Sequence, residues 1–408
     1  MAQALDLPIP ALTHAELQPI VAQVLDLPQV DVAEWHVTPV AGAAGSVNQG
    51  GRGLFRVQGQ ATAQVPTAES AARADRAGAA LPWSVVVKVF GTPDAASTPG
   101  DTTMNPTAAD YWQREILTYR SGMLAGIHGG LTVPRCYGVV EHAQHEWRVW
   151  LEDVAETSKI WTLTRHSTAA RHLGRFNGAY LAGRPLPPAY PWLCRGRTRE
   201  WAAAAGAHWE GFAHYAGSAG RSWLSAESVT RMRRLLGEQQ RILRLLGGLP
   251  ICLCHHDAYR RNLIARDRPG GEQQTVAVDW SMVGFGGIGE ESGIMAAATL
   301  TFLDVPAAEA SAYDDLVFAS YLTGLRDAGW AGDARLARFG HTATAALTIG
   351  TAMRVLVSVN LLGTPEGVAF TESAIGHDID ACLAQWATLQ PFLLDLGDEA
   401  LQLANELD

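Results

Sequence analysis

The sequence has no disulfide framework. Its five cysteines, Cys136, Cys194, Cys252, Cys254 and Cys382, are odd in number and irregular in spacing, which fits a reducing compartment such as the cytoplasm. It has no surplus of positive charge either. Forty-one acidic against 31 basic residues leave a net charge of −10, the wrong sign for a general nucleic-acid binder. No charge-free apolar run reaches the roughly 18 residues that a membrane-spanning helix needs. The richest stretch, Phe339 to Met353, is interrupted by His341 and closed by Arg354. The N-terminus carries Asp6 and Glu16 without a basic cluster, so it does not read as a signal peptide. There is no internal repeat, and no glycine-rich run ends in Gly-Lys-Ser/Thr, which excludes a Walker loop.

What remains is a chain of 408 residues, 48% apolar and 18% charged. That is long enough for a large core without covalent staples. The first 150 residues are rich in β-branched runs. Ser84 to Phe90 predicts a strand, with Val85, Val87 and Val89 on one face and Val86, Lys88 and Phe90 on the other. Leu54 to Val57 predicts a shorter one, and Cys136 to Val140 with Trp147 to Leu151 predicts a strand pair. Ala61 to Leu81 and Gly91 to Pro106 read as loops. A helix is expected from about Thr107 to Leu124, with Trp112, Ile116, Tyr119 and Met123 as its buried stripe. Glu115 falls roughly 60° from the centre of that stripe, at the edge of the buried face.

After Val154 the composition turns to Ala, Leu and Arg, and helices are expected over Ala169–Leu181, Ser225–Leu246, Ser292–Phe302, Ala307–Leu325, Asp333–Leu362 and Asp378–Leu403. One β-hairpin interrupts them near residues 262 to 280, turning at Pro269-Gly270-Gly271. The division expected is residues 1–154 and residues 155–408.

The chemistry concentrates at that hairpin. Asp257 and Asn262 lie in a polar loop, Cys254-His255-His256-Asp257-Ala258-Tyr259-Arg260-Arg261-Asn262, just before an apolar strand. The apolar run Val276-Ala277-Val278 ends in Asp279-Trp280. A hairpin brings Asn262 and Asp279 together at one end, with Asp257 close by. Two carboxylates and an amide at strand ends make a hard-oxygen site suited to Mg²⁺. Cys252 and Cys254 lie on the preceding strand with no second Cys/His pair to complete a tetrahedron, and read as buried thiols rather than zinc ligands.

The pattern His255-x-Asp257-x4-Asn262, followed by Asp279-Trp280, resembles the catalytic and metal-binding loops of the kinase fold, in the form found in aminoglycoside phosphotransferases and choline-kinase-like small-molecule kinases. The resemblance covers roughly residues 35 to 300. It implies an α+β, two-lobed protein-kinase-like fold, with a small antiparallel sheet and one helix in the N-terminal lobe and a mainly helical C-terminal lobe. It implies a phosphotransferase with an alcohol group as acceptor, moving the γ-phosphoryl group of ATP or GTP to a small polar metabolite, sugar or aminoglycoside-like molecule, without nucleic-acid or membrane partners. Asp257 is then the catalytic base, and Asn262 and Asp279 hold Mg²⁺. Lys88 contacts the α- and β-phosphates and pairs with Glu115. His255 supports the loop by hydrogen bonding.

In the glycine-rich run Gly42 to Gly53, Gly45 and Ser46 are the residues expected at the phosphates, because glycine permits close backbone approach and successive N–H groups can face anions. At the end of the Trp147–Leu151 strand, the Glu152 carbonyl and the Val154 amide are expected at the nucleotide base. Departures from the family pattern are His256 where glycine is common, Arg260-Arg261 before the Asn, and Gly289-Glu290-Glu291 where a structural Asp is usual. Arg260 and Arg261 fit either phosphate contact or a place on the lobe surface only. No acceptor-binding residue is named in the Trp-, Arg- and His-rich stretch from Arg195 to Tyr215. Replacing Asp257 or Asp279 by Ala is expected to abolish turnover without harm to the fold. Three alternatives stand beside this reading, the first being antibiotic inactivation rather than metabolism, which differs by substrate and not by chemistry, and the other two sharing the fold. One is a sensor that binds nucleotide or metabolite without turnover. The other is a protein kinase, disfavoured because Asp-Phe-Gly is absent and no Ala-Pro-Glu follows.

Overall fold

The computed structural model describes residues 10–40, 51–63, 80–92, 104–108, 110–142, 146–217 and 223–407. The chain divides into two compact units. One comprises residues 1–104, 110–122 and 134–155, and the other residues 105–109, 123–133 and 156–408.

In chain order the elements are α1 (His14–Leu25), β1 (Val30–Pro39), β2 (Gly51–Ala63), β3 (Leu81–Phe90), α2 (Arg114–Ser121), β4 (Leu131–Thr132), β5 (Cys136–His142) and β6 (Glu146–Glu152). All but β4 belong to the first unit, whose five-stranded antiparallel sheet runs β1-β2-β3-β6-β5. The β-branched alternation of β3 puts Val85, Val87 and Val89 into a core with Phe55, Val57, Trp83 and Trp150, on which α1 lays Leu17, Ile20 and Val21. Period-2 alternation leaves Lys88 on the opposite face. β2 and β3 extend further than expected, taking in Ala61 to Ala63 and Leu81 to Trp83, because the two strands remain in register as far as Ala61 and Leu81.

The expected helix from Thr107 to Leu124 is shorter. It spans Arg114–Ser121, ended by Gly122 in the left-handed conformation at φ 70°. Asn105 takes over the preceding segment: its side chain accepts from the Thr107 amide at 3.0 Å, and its carbonyl closes a turn onto the Ala108 amide. Short polar side chains compete with helix formation in this way. Trp112 and Ile116 are buried as expected, and Glu115 is 1% exposed. Tyr119 and Met123 are only half-buried.

The second unit continues with α3 (Leu163–Leu181), α4 (Arg197–Ala207), α5 (Trp209–Gly217), α6 (Ala226–Gly237), α7 (Gln239–Leu246), β7 (Ile251–Cys254), β8 (Leu263–Asp267), β9 (Gln273–Ala277), β10 (Gly284–Gly287), α8 (Glu290–Thr301), α9 (Ala310–Asp327), α10 (Ala334–Thr344), α11 (Arg354–Asn360), α12 (Pro365–Ile375) and α13 (Ile379–Leu407). Short strands pair as β10-β7 and as β4-β9-β8. Helices α3 and α9 approach closely because Gly174 and Gly324 carry no side chain. A Cβ on Gly174 would stand 2.1 Å from the Tyr321 carbonyl oxygen.

The stretch expected as one helix from Ser225 to Leu246 breaks at Glu238 into α6 and α7. That from Asp333 to Leu362 is α10, a π-helical segment Ala345–Met353, and α11. By length and composition, 334–360 passes for a membrane span, but 78% of its most apolar window is buried inside the protein. It is a core element of this unit.

Candidate active site

In the first unit, Lys88 Nζ donates to Glu115 Oε2 at 2.5 Å. Both side chains are shielded, with 12% and 1% of their surfaces exposed. The expected pair is thus formed. Lys88 also lies 5.4 Å from the Phe90 ring centre. The sequence has only two lysines, Lys88 and Lys159, among its 31 basic residues. A compact ammonium kept on a buried strand of an arginine-using chain is a signal that composition alone could have supplied.

At the end of β6, the Glu152 amide donates to the Arg135 carbonyl at 2.8 Å, and the Glu152 carboxylate accepts from the Arg135 amide. Val154 follows outside any strand. Between them Asp153 is tied by Arg56 at 2.8 and 2.9 Å and by Ser84 at 2.5 Å. Gly45 and Ser46 lie outside the described residues.

The second unit assembles the loop from His255 to Asn262. β8 and β9 form the expected hairpin, with Leu263 opposite Ala277, closed through Gly270 and Gly271 at φ 98° and 84°. The Val278 amide donates to the Asn262 carbonyl at 2.9 Å. This places Asn262 and Asp279 at the same open end. The Asn262 amide nitrogen donates both to the Asp257 carbonyl at 2.9 Å and to Asp257 Oδ2 at 2.7 Å. With its NH₂ group so committed, its Oδ1 is the acceptor left for other partners.

His255 holds the loop from within. Its Nδ1 accepts from the Asp257 amide at 3.2 Å, while Nε2–H donates to the Val278 carbonyl at 2.9 Å. These bonds define a neutral ring, and burial pushes the His255 pKa down. The supporting role expected of His255 is therefore met.

Two departures from the family pattern acquire a physical account. His256 stands where glycine is common, and its φ is 63°, a conformation that ordinarily favours glycine. Its amide donates to Glu291 Oε1 at 3.0 Å and its ring to the Phe285 carbonyl at 3.2 Å. Glu291 also accepts from the His255 amide at 2.6 Å. A buried carboxylate bonded to two backbone N–H groups clamps the loop, which accounts for Glu291 where a structural Asp is usual. Burial raises its pKa to about 7, against the opposing pull of those two amides. Asp279 has φ 59°, a second strained non-glycine position beside the loop. Such strain gathers at functional sites.

Arg260 and Arg261 point into the protein. Arg260 bonds the Lys159 and Leu263 carbonyls. Arg261 bonds the carbonyls of Phe302, Ala374 and Ile375. Neither expected place, at the phosphates or on the lobe surface, describes them, because their guanidiniums are taken up by backbone carbonyls. Cys252 and Cys254 are buried on β7 with sulfurs 3.6 Å apart. Among the described residues no group of three or more His, Cys, Asp or Glu side chains is placed to hold a metal alone.

One contact has no counterpart in the sequence reading. Arg197, the first residue of α4, donates from Nη1 to Asp257 Oδ1 at 2.9 Å. The two residues are 60 positions apart, and no spacing rule connects them.

No family model matches the chain, and no curated protein matches it. Solved structures similar to it include a spectinomycin phosphotransferase in complex with ADP and spectinomycin, at 9% identity and TM-score 0.48, covering 96% of this chain and 100% of that one. Another is choline kinase from Cryptosporidium parvum Iowa II, at 10% identity and TM-score 0.47, covering 91% and 93%. A third is an amicoumacin kinase in complex with AMP-PNP and Ca²⁺, at 12% identity and TM-score 0.46, covering 89% and 88%. At these identities and scores, nothing about activity is transferred.

Proposed function

We propose that the protein is a small-molecule kinase that moves the γ-phosphoryl group of ATP or GTP to a hydroxyl of a small polar acceptor. The observation that carries this reading is the loop His255 to Asn262 joined to Asp279. A carboxylate and an amide bonded to it lie at one end of a hairpin whose second strand leads through Val278 into Asp279. The Lys88–Glu115 pair supplies the cation that such a reaction needs at the phosphates.

The acceptor oxygen forms a bond to the γ-phosphorus. The bond from that phosphorus to the bridging oxygen breaks, and its electron pair leaves with the nucleoside diphosphate. The hydroxyl proton passes to Asp257. Asn262 Oδ1 and the Asp279 carboxylate are the donors that would hold Mg²⁺, which keeps much of its shell as water and phosphate oxygen and so needs only one or two protein carboxylates. When bound, the ion neutralises phosphate charge. Lys88 orients the α- and β-phosphates, Glu115 holds Lys88, and the Glu152 carbonyl and Val154 amide take the base.

The test is turnover with Mg-ATP and Mg-GTP across amino sugars, sugars, nucleosides and amino alcohols, read as a mass gain of the acceptor. Asp257→Asn, checked for folding by circular dichroism, and EDTA treatment serve as controls. A phosphorylated product that both controls abolish supports the kinase. Tight nucleotide binding with no product from any acceptor supports the sensor reading instead.

A further inference from the structure

Arg197 is 8% exposed, and a buried guanidinium costs several kcal/mol unless it is paired. Its partners are few. Nη1 bonds Asp257 Oδ1 at 2.9 Å, the guanidinium carbon lies 5.1 Å from the Trp201 ring centre, and Nε has no hydrogen-bond partner among the described residues. Among the described residues, Asp257 is the carboxylate that bonds it. The packing of α4 does not call for a charge at this point, since the same helix buries Thr198, Ala202 and Ala205. The cation therefore serves Asp257.

Asp257 is gripped from two sides. Asn262, five residues on, holds Oδ2, and Arg197, from a separate helix, holds Oδ1. Two donors on two oxygens fix both the position and the plane of a carboxylate. Each oxygen keeps a second lone-pair direction, so an acceptor hydroxyl can still donate to it. The charge of Arg197 also bears on Glu291 and His255, the two residues that shape the loop from behind.

We propose that Arg197 is a positioning residue for phosphoryl transfer: it holds the Asp257 carboxylate in the plane from which the acceptor hydroxyl is oriented. This rests on the kinase reading above. Arg197 takes no proton and acts through the Asp257 carboxylate. Displacement of a catalytic group by about 1 Å can cost on the order of 10²-fold in rate.

The experiment uses the full chain and the acceptor found in the panel. In Arg197→Ala, kcat should fall about 10²-fold, while the KM for nucleotide changes less than about twofold. Methylguanidinium added to Arg197→Ala should restore kcat at least several-fold and leave wild-type kcat unchanged. A merely structural role would not show that rescue. Arg197→Ala with wild-type kcat overturns the proposal, and so does a fall in kcat that methylguanidinium does not reverse. A wild-type chain that phosphorylates nothing overturns the kinase reading itself, an outcome distinct from an active wild type with an indifferent Arg197.

Discussion

Replacing Asp257 by Ala does more than remove the carboxylate proposed as the base. It leaves the Arg197 guanidinium buried without its counter-charge, since the pair is one-to-one and the Arg197 side chain is only 9% exposed. Two unit charges about 4 Å apart attract by about 4 kcal/mol at an effective dielectric constant near 20. Breaking a buried pair by deleting one partner typically costs about 3–5 kcal/mol. Asp257 is itself 22% exposed, so water reaches the site and the cost falls to about 2–4 kcal/mol. The assay is urea unfolding at pH 7 read at 222 nm, where the helix-rich second unit supplies most of the signal. Asp257→Ala, Arg197→Met and the double variant complete a cycle. The double variant should lose about 2 kcal/mol less than the sum of the single losses, because the methionine leaves no stranded charge. Additive losses would refute the reasoning, as would Asp257→Ala with the midpoint of the wild type. The fold is still expected to stay intact in this variant, with the penalty appearing in its stability.

Lys88→Met should lower kcat by about 10²–10³-fold, the usual consequence of removing one preorganised charge from a phosphate site. Single-turnover kinetics at saturating nucleotide check it. Glu291→Gln should flatten the pH dependence of stability between about pH 5 and 7. In the native protein Glu291 holds its proton up to about pH 7 and releases it lower when unfolded, so the native state binds more protons across that window. Stability then falls as pH rises through it, by at most on the order of 3 kcal/mol, and urea midpoints of wild type and variant across the range should diverge accordingly. Arg261→Ala should cost about 2–3 kcal/mol through three orphaned carbonyls, while turnover per folded molecule stays at the wild-type value. A loss of turnover greater than the loss of folded protein would return Arg261 to the phosphates.

Local pattern made much of this protein legible. The alternation Val85-Val86-Val87-Lys88-Val89 settles which face of its strand Lys88 occupies, because strand side chains alternate strictly. The Pro269-Gly270-Gly271 turn sets the hairpin that aligns Asn262 with Asp279. Both follow from interactions within a few residues or across one turn, which sequence spacing encodes. The same holds for the placing of Glu115, although a competing turn at Asn105 shortened its helix. The break between α6 and α7 and the π-helical stretch within 334–360 were invisible, since they depend on what packs against those helices.

The sequence by itself determined the chemical inventory: one strand lysine, one helix glutamate, and Asp257, Asn262 and Asp279 around a hairpin. Tertiary structure alone decided how that inventory is held. It set Glu291 beneath the His255 and His256 amides, turned Arg260 and Arg261 inward onto carbonyls, and brought Arg197 from 60 residues away onto Asp257. Such contacts arise where separate elements bury one another. Their energy comes from removing charge and polar groups from water together, and no short-range pattern in the chain records which groups will meet.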